Sequence, residues 1–543
     1  MAGGAIPEKW LRDMSVADIH EHLSRPTRRQ FLRTAGFVAG AAALGPNLWM
    51  RAARAAAAPP SAVHLSYGAN PTKEMSFVWS TPGPVDHPRL SFGAADGSGT
   101  VVAAETRTLP MNLLNPMATV DTHYHHVRLA GLNPDTAYGY RLMHDGAAPT
   151  APVSFHTAPT LAGPFTFTAF GDQGVSNSAR GVVAQLGAIK PAFNLVAGDL
   201  CYADGLGTTG PWDIAEFDPS TWDQWFAQIA PATAATPWMP SLGNHDVEPG
   251  YGYQGYDGHG ARLALPKGGF NDFVYTFRYG NVAVVALDPN DVSSEIPHPY
   301  SLGAQTDWVD AELGKLRADP FVDFIVVHFH HCAYCTITSH GSDGGVRRKW
   351  VPLFDKHNVD LVVNGHNHGY ERTTPIRNGV PTTQAPTGAT VRPKEHGTTY
   401  ICAGGGGRSP NDLNEPGKGF VSNGPAAYNN PVTGVPEDAP WSVKAVANNS
   451  FIRVDVDPGA PGHEATMTIT AVDTKGAAFD RVVLARFGAR AATILPAPPP
   501  QVGGEQLPAT GRDANLLVPA GLVVGAAAVG AARRSLGAQS SSS

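Results

Sequence analysis

The stretch FTFTAFGDQG at residues 165–174 decides the fold of the central part of this chain. Its apolar run, 165–170, has the length of a buried strand and ends in Gly171 and Asp172. Four more short apolar runs lead in the same way into polar residues, at 193–197, 239–242, 324–327 and 361–363. Strands that each deliver polar side chains at their ends indicate a sheet with a functional edge.

The segments between these runs have the period of amphipathic helices. Their apolar positions are Val182, Val183, Leu186 and Ile189, then Val309, Leu313 and Leu316, then Val346, Trp350 and Leu353 with His357. Alternating strands and helices predict a layered α/β domain. In such domains, the site lies at the carboxyl ends of the strands.

Five sequence blocks follow the apolar runs and carry seven candidate metal ligands. The blocks are Gly-Asp-Gln-Gly at 171–174, Gly-Asp-Leu-Cys-Tyr at 198–202, Gly-Asn-His-Asp at 243–246, His-Phe-His-His at 328–331 and Gly-His-Asn-His at 365–368. The candidates are Asp172, Asp199, Tyr202, Asn244, His330, His366 and His368. Carboxylate, phenolate, amide and imidazole donors suit iron, zinc or manganese, whereas a structural zinc site would use thiolates. A shared carboxylate, for which we predict Asp199, would hold two ions roughly 3.5 Å apart.

Each block also has a purely structural interpretation. A Gly-Asp pair after a strand is often a turn whose aspartate caps a helix, and Gly-Asn-His-Asp is a common loop. It is the five blocks together, in this order, that favour a metal site. In the fourth block, strand register leaves His328 as an alternative to His330. Alternation would place His331 on the opposite face, where it would meet substrate or cap the turn.

The blocks resemble those of the calcineurin-like metallophosphoesterases and, within them, the purple acid phosphatases. Tyr202, three residues after Asp199, and the phrase Gly-His-Asn-His-Gly-Tyr-Glu-Arg at 365–372 carry this resemblance, which extends over residues 60–490. It implies a β-sandwich flanked by helices, in four layers (α/β/β/α). The spacing from a ligand histidine to a tyrosine four residues later fits His330 and Tyr334.

The resemblance also implies which residues hold which metal and how the reaction proceeds. Iron(III) would be bound by Asp172, Asp199, Tyr202 and His368, and a divalent ion (iron, zinc or manganese) by Asp199, Asn244, His330 and His366. A metal-held hydroxide would attack phosphorus, and a histidine would protonate the departing alkoxide. His245 resembles the family's substrate histidine. His340 is the second candidate, although an isolated loop histidine is often merely solvated.

Residues 59–158 have the pattern of a separate all-β domain. Met75, Phe77 and Trp79 alternate, and the stretch from Leu132 to Tyr138 looks like the tyrosine corner of a fibronectin type III sandwich. Larger purple acid phosphatases carry such a domain before the catalytic one, here predicted at 160–488. His123, His125 and His126 have no neighbouring carboxylate or cysteine, so we predict surface and strand positions for them rather than a metal site.

The two ends of the chain predict its location. Residues 1–58 contain Thr-Arg-Arg-Gln-Phe-Leu-Arg at 27–33, an apolar stretch and an alanine run, which predict a twin-arginine export signal. Residues 489–543 contain a proline-rich spacer, Leu-Pro-Ala-Thr-Gly at 507–511, an apolar segment and two arginines. This arrangement resembles a Gram-positive cell-wall sorting signal. It implies the export machinery, sortase and peptidoglycan as partners. A membrane helix is the alternative at either end.

Composition agrees with a folded, multidomain chain. Of 543 residues, 42% are hydrophobic and 16% charged, and the net charge of −7 comes without a basic stripe for nucleic acid. Among four cysteines, Cys332 and Cys335 form a lone C-x-x-C, for which we expect a disulfide or buried thiols.

Three functions remain open from the sequence. The leading one is a cell-wall phosphatase that hydrolyses phosphate monoesters. A phosphodiesterase or nucleotide hydrolase with the same site is the first alternative, and a surface binding or adhesion protein is the second.

Overall fold

The computed structural model describes residues 59–109, 121–204, 217–248, 251, 255–295, 298–337, 340–413, 439–460 and 462–487. These residues belong to one compact unit. The predicted export signal at 1–58 lies outside the described residues, as do the spacer and sorting signal at 489–543. No helix in the described part is long and apolar enough to cross a membrane.

Two four-stranded antiparallel sheets form the N-terminal domain. The strands are β1 (Ser61–Tyr67), β2 (Met75–Thr81), β3 (Arg89–Gly93), β4 (Gly99–Ala103), β5 (Glu105–Leu109), β6 (Thr122–Leu129), β7 (Ala137–Met143) and β8 (Val153–His156). Their orders are β1-β2-β6-β5 and β4-β3-β7-β8. The amide of Asn133 donates to the hydroxyl of Tyr138 at 2.9 Å, which is the predicted tyrosine corner.

The three histidines of β6 differ in burial. His123 is half-buried on its strand, but His125 and His126 are buried, so the surface positions predicted for these two are wrong. Both ring nitrogens of His125 are used, by the hydroxyls of Thr81 and Thr106 at 2.9 Å each. Hydrogen bonds of this kind offset the cost of burying an imidazole.

In the described part of the second domain, two seven-stranded sheets are accompanied by seven α-helices. The remaining strands are β9 (Phe165–Phe170), β10 (Asn194–Ala197), β11 (Trp238–Ser241), β12 (Tyr275–Tyr279), β13 (Val282–Ala286), β14 (Phe324–His328), β15 (Leu361–Asn364), β16 (Tyr370–Thr373), β17 (Ile376–Arg377), β18 (Val380–Pro381), β19 (Thr390–Val391), β20 (Thr399–Ala403), β21 (Ser442–Val446), β22 (Ser450–Asp457), β23 (Ala465–Asp473) and β24 (Ala478–Arg486). The helices are α1 (Asn177–Ile189), α2 (Thr221–Thr233), α3 (Asp257–Arg262), α4 (Ala304–Ala318), α5 (Gly344–Lys349), α6 (Val351–Lys356) and α7 (Pro393–His396). The sheets run β11-β10-β9-β22-β23-β24-β19 and β12-β13-β14-β15-β20-β16-β21, and β17 and β18 form a separate hairpin.

The five inner strands of the second sheet are buried on both faces, whereas the edge strands β12 and β21 are partly exposed. Along β13, Val282 and Val284 join the apolar core that also contains residues of the first sheet, whereas Ala283 and Val285 join a second core with helices α4 to α6. Such alternation between two cores explains why the sequence of this strand is apolar throughout. The layered α/β fold predicted from the sequence is confirmed.

All five apolar runs are strands, as predicted, and α1 and α4 coincide with predicted helical segments. The third segment differs, because it forms the two short helices α5 and α6 instead of one helix. Pro352 stands in the first turn of α6, and its missing amide hydrogen cannot extend the preceding helix.

Parallel pairing brings the five blocks to one edge. Strand β10 pairs in parallel with β9 and β11, and β15 pairs in parallel with β14 and β20. The residues that follow these strands therefore emerge at the same end of the two packed sheets. Strands β22 to β24 complete the first sheet beside β9.

Side chains of the N-terminal domain form hydrogen bonds with backbone carbonyls in the last turn of α3 and just after it. The hydrogen bonds join His126 to Ala261 O (2.7 Å), His64 to Arg262 O (2.8 Å), Ser66 to Ala264 O (2.7 Å) and Arg128 to Leu265 O (2.9 Å). Tyr67 also packs among the rings of Phe193, Phe277 and Tyr279. The two domains are thus held by polar contacts and a continuous aromatic core.

This interface predicts a loss of stability in acid. Burial lowers the pKa of His126 to about 3. The unfolded chain therefore binds a proton that the folded chain excludes, and stability falls as the pH drops from about 6.5 toward 3. From pH 7 to 5 this histidine should remove about 2 kcal/mol of unfolding free energy. In His126→Gln, where the amide still donates to Ala261, urea unfolding should show a pH dependence reduced by that amount. The exposed His463→Gln control should retain the full loss.

Candidate metal centre

Four candidate ligands have left-handed backbone conformations. The φ angles are 58° for Asp172, 52° for Asp199, 60° for Tyr202 and 71° for His366. A non-glycine residue in this region costs about 1–2 kcal/mol, so the surrounding structure must impose it. Strained residues of this kind concentrate at functional sites, and here they turn the side chains back over the strand ends.

The glycines of the blocks allow the loops to interpenetrate. A Cβ atom on Gly365 would lie 2.5 Å from Asp172 Oδ2, and one on Gly198 would lie 2.8 Å from His330 Cβ. A Cβ on Gly243 would collide with the carboxylate of Asp199. No larger residue fits these positions, which explains why glycine precedes the ligand in four of the five blocks.

Three candidate iron ligands contact one another. The hydroxyl of Tyr202 lies 3.2 Å from Asp172 Oδ1 and 3.1 Å from His368 Nε2. His368 Nε2 lies 3.6 Å from the same Asp172 oxygen. Because these three atoms face a common point, they are suited to one ion.

A second group of donors lies next to the first. His330 Nε2 is 3.1 Å from Asp199 Oδ2 and 3.3 Å from His366 Nδ1. Asp172 Oδ1 is 3.8 Å from His330 Nε2, so the two groups are adjacent. Asn244 Oδ1 is buried and has no hydrogen-bond partner among the described residues. Asn244 follows Gly243, where a Cβ atom would meet Asp199 and His330, so an unpartnered buried oxygen at this position fits a metal ligand.

In the fourth block, His330 is the residue that reaches this site. Its Nδ1 bonds to Ala197 O at 2.7 Å, so Nε2 faces Asp199. His328, the alternative, is buried at the end of β14, and neither of its ring nitrogens has a partner among the described residues. The strand ends there, so the predicted alternation fails: the ring of His331 lies 4.3 Å from that of His366 instead of on the opposite face.

Asp246 joins two of the blocks. Its carboxylate accepts from the amides of Asp199 (2.8 Å), Leu200 (3.0 Å) and Gly243 (2.8 Å). These bonds fix the backbone on which Asp199 and Asn244 stand. Asp246 lies within the third block, but sequence reasoning gave it no role, since a carboxylate bound only to amides leaves no ligand pattern.

His245 is oriented by a carboxylate. Its Nδ1 lies 2.6 Å from Asp204 Oδ2, and its Nε2 lies 4.0 Å from Asp199 Oδ2. Burial would lower the pKa of His245, but Asp199 and Asp204 raise it to about 9. The pair with Asp204 fixes which nitrogen faces the metal ligands. Asp204 stands two residues after Tyr202, and the sequence analysis did not assign it.

His340 and His366 share a carboxylate that the sequence analysis missed. Glu295 Oε1 lies 2.6 Å from His340 Nδ1, and Oε2 lies 2.9 Å from His366 Nε2. The rings of the two histidines lie 3.9 Å apart. Because Nε2 of His366 is bound to Glu295, Nδ1 is the nitrogen left for a metal, as in other carboxylate–histidine–metal arrangements. Glu295 follows no apolar run and matches no motif.

Arg408 brings positive charge to the site. Its guanidinium carbon lies 4.3 Å above the ring of Tyr202, and its amide donates to Asp172 O at 3.1 Å. The glycine-rich stretch before it approaches the ligands, since a Cβ on Gly404 would lie 2.7 Å from Asp172 Oδ2. Glycine at this position therefore lets the backbone come close to Asp172.

The centre attracts cations. Burial raises the pKa of Asp172. Burial would also raise the pKa of Asp199, but His330 and His245 hold the pKa of Asp199 well below its usual range. Burial would lower the pKa of His330, yet Asp199 and Asp172 raise it to about 10. The carboxylates therefore favour a positive charge at His330, and a bound metal ion would supply that charge in place of the proton.

Two known families match the chain. The purple acid phosphatase N-terminal domain matches residues 60–157, and the calcineurin-like phosphoesterase family matches residues 165–370. The chain belongs to the calcineurin-like metallophosphoesterases. It is a metal-dependent phosphoric ester hydrolase, which favours the enzymatic interpretations over adhesion.

Several individual proteins are similar to this chain. An uncharacterised protein of Mycobacterium tuberculosis is 34% identical over 500 residues, covering 82% of this chain and 92% of its own. Purple acid phosphatase 18 of Arabidopsis thaliana is 25% identical over 326 residues, covering 59% and 68%. The structure of a purple acid phosphatase from yellow lupin seeds has a TM-score of 0.61 at 19% identity and covers 79% of this chain and 74% of that one, which supports the fold.

Glu295→Gln tests the arrangement around His366. An amide cannot hold a protonated Nε2 as firmly as a carboxylate, so we expect metal affinity to fall about 10-fold to 100-fold. The measurement is titration of the metal-free protein with zinc(II), followed by calorimetry. Asp310→Asn is the matched control, because Asp310 holds His357 at 2.5 Å far from the metal ligands. Equal affinities for Glu295→Gln and the unmodified protein would contradict the role.

Proposed function

We propose that the protein is an exported, cell-wall phosphatase that hydrolyses phosphate monoesters at a centre of iron(III) and a divalent ion, which is iron, zinc or manganese. The observation that carries this proposal is that two adjacent groups of candidate ligands contain different kinds of donor atom. One contains the phenol of Tyr202, and the other contains His330, His366 and the unpartnered oxygen of Asn244.

The division into two metal sites rests on the position of Asp199. One carboxylate oxygen of Asp199 lies 3.1 Å from His330 Nε2, and donor atoms of Asp172, Asp199 and His330 all lie within 4.8 Å of one another. Asp199 therefore lies beside a member of each donor group, as a bridging ligand must. When bound, two metal ions would activate water and neutralise the charge of the phosphoryl group.

The chain's own residues supply the remaining chemistry. His245 is held by Asp204 with Nε2 toward the ligands, and its side chain is 18% exposed, so it reaches both the centre and solvent. A proton on Nε2 can pass to the oxygen of the leaving alkoxide. His340, 28% exposed on the side of His366, is the second candidate for this role.

The location is proposed from the two ends of the sequence. A twin-arginine signal exports folded proteins, so the metal ions would be bound before export. A sortase would then cleave after Thr510 and join the chain to peptidoglycan. Cell fractionation, with Arg28→Lys/Arg29→Lys and Thr510→Ala variants, tests export and wall attachment separately.

Replacement of Asp199 tests the shared ligand. Asp199→Asn should lose both metal ions and about 10³-fold or more in turnover, because the amide cannot bridge two cations. Metal analysis and phosphatase assays measure the two effects. Asp455→Asn, on an exposed part of β22, is the control. An Asp199→Asn protein with two ions per chain would rule out the bridge.

Tyr202→Phe tests iron(III). A phenolate bound to iron(III) gives a visible charge-transfer band, so the unmodified protein should be coloured and the variant colourless. Iron in the unmodified protein without this band would disprove the Tyr202 assignment.

His245→Ala tests proton donation. A general acid matters most for poor leaving groups, so turnover should fall about 10²-fold to 10³-fold for an alkyl phosphate and much less for a nitrophenyl phosphate. His340→Ala provides the comparison at the other candidate. An equal loss for both esters would indicate that His245 binds substrate without donating a proton.

Substrate class is decided by direct comparison. We expect kcat/KM for monoesters to exceed that for diesters and nucleoside triphosphates, assayed with the same metal-loaded protein. The reverse order would favour the phosphodiesterase or nucleotide hydrolase alternative.

A further inference from the structure

Three cysteines meet in the interior below the loop that carries His366. The sulfur atoms of Cys332, Cys335 and Cys402 all lie within 4.8 Å of one another. Their side chains are buried, and Ile337 and Leu413 pack around them. All four cysteines of the chain are free in the structure, so buried thiols, one of the two expectations from the sequence, describe the C-x-x-C.

A carboxylate lies next to one cysteine of the cluster. Glu371 Oε2 lies 3.2 Å from Cys335 Sγ, and Glu371 is itself buried. Hydroxyls of Thr336 and Ser442 and the amide of Thr336 also bind it, and in the described part of the chain it forms no ion pair. Burial raises the pKa of Glu371, because a buried negative charge is costly, and a cation bound by the neighbouring sulfurs would favour the ionised carboxylate.

Backbone carbonyls of the loop that carries His366 surround the cluster and accept from the thiols. Cys332 Sγ lies 3.0 Å from Gly365 O, and Cys402 Sγ lies 3.2 Å from Asn367 O. Two cysteines one turn apart and a third from a strand are a usual source of ligands for a thiophilic metal.

We propose that Cys332, Cys335 and Cys402 form a second metal site for a thiophilic cation of the zinc(II) class, beside the carboxylate of Glu371. Binding releases the thiol protons to solvent, and no redox step is involved. The ion ties the turn after His330 to β20, beneath Gly365 and Asn367, which flank His366. It thereby supports the backbone of the catalytic ligands without taking part in the reaction.

A disulfide explains the cluster less well. A disulfide would join only two of the three sulfurs and leave the third as a free thiol beside them. It would also bring no positive charge near Glu371. A metal ion uses all three sulfurs and pairs with the carboxylate as well.

Cobalt(II) distinguishes this site from the catalytic centre. The full chain reconstituted with cobalt(II) should show a thiolate-to-cobalt charge-transfer band in the near ultraviolet. The band should persist in Asp199→Asn, which lacks the catalytic ions but keeps every cysteine. Absence of the band from both proteins would overturn the proposal, and this comparison does not depend on the folding of any cysteine variant.

Cysteine variants supply the second measurement. Cys335→Ala and Cys402→Ala should lose the cobalt band and one zinc ion per chain, whereas Cys201→Ala, at a buried cysteine outside the cluster, should keep both. Unchanged zinc content in Cys402→Ala would refute the site. So would mass spectrometry of the unreduced protein that finds any of the three cysteines in a disulfide.

Discussion

The contact between His330 and Asp199 joins the two sheets at the centre of the molecule. His330 follows β14 of the second sheet and Asp199 follows β10 of the first, and their donor atoms lie 3.1 Å apart with both side chains buried. Neither sheet supplies all of the candidate ligands, since the phenol and both carboxylates come from the first and all three imidazoles come from the second. The centre therefore depends on the packing of one sheet against the other, and the aromatic and aliphatic core between them has a catalytic consequence.

The sequence predicted this architecture well because its signals are local. Each ligand block follows a short apolar run, and a run of that length with polar residues at its end identifies both a strand and the edge where ligands gather. The alternation of residues along the strand could not distinguish His330 from His328, because the answer depends on where β14 ends. Alternation predicts faces only while a strand continues, and the chain turns immediately after His328.

The residues that sequence reasoning missed have one role in common: they bind other residues of the site and would not bind the metal ions themselves. Asp246 accepts backbone amides, Asp204 orients His245, and Glu295 holds His366 and His340. A carboxylate in such a role has no required spacing, because it reaches its partner through the fold. Glu295 is 71 residues from His366 in the chain, and only the three-dimensional structure brings them to 2.9 Å.

The N-terminal sandwich is connected to the metal centre through a continuous series of contacts. Its side chains bind the backbone at the end of α3, where His64 takes the carbonyl of Arg262. Arg262 is buried in an ion pair with Glu248 at 2.6 Å, and His259 of the same helix binds the carbonyl of Asp246. Asp246 in turn holds the amides of Asp199 and Gly243. Helix α3 has only six residues, too few to be stable alone, so its contacts with the sandwich help to fix its position. A domain that contributes no candidate ligand therefore supports the position of Asp199, which gives a physical reason for the two domains to form one compact unit.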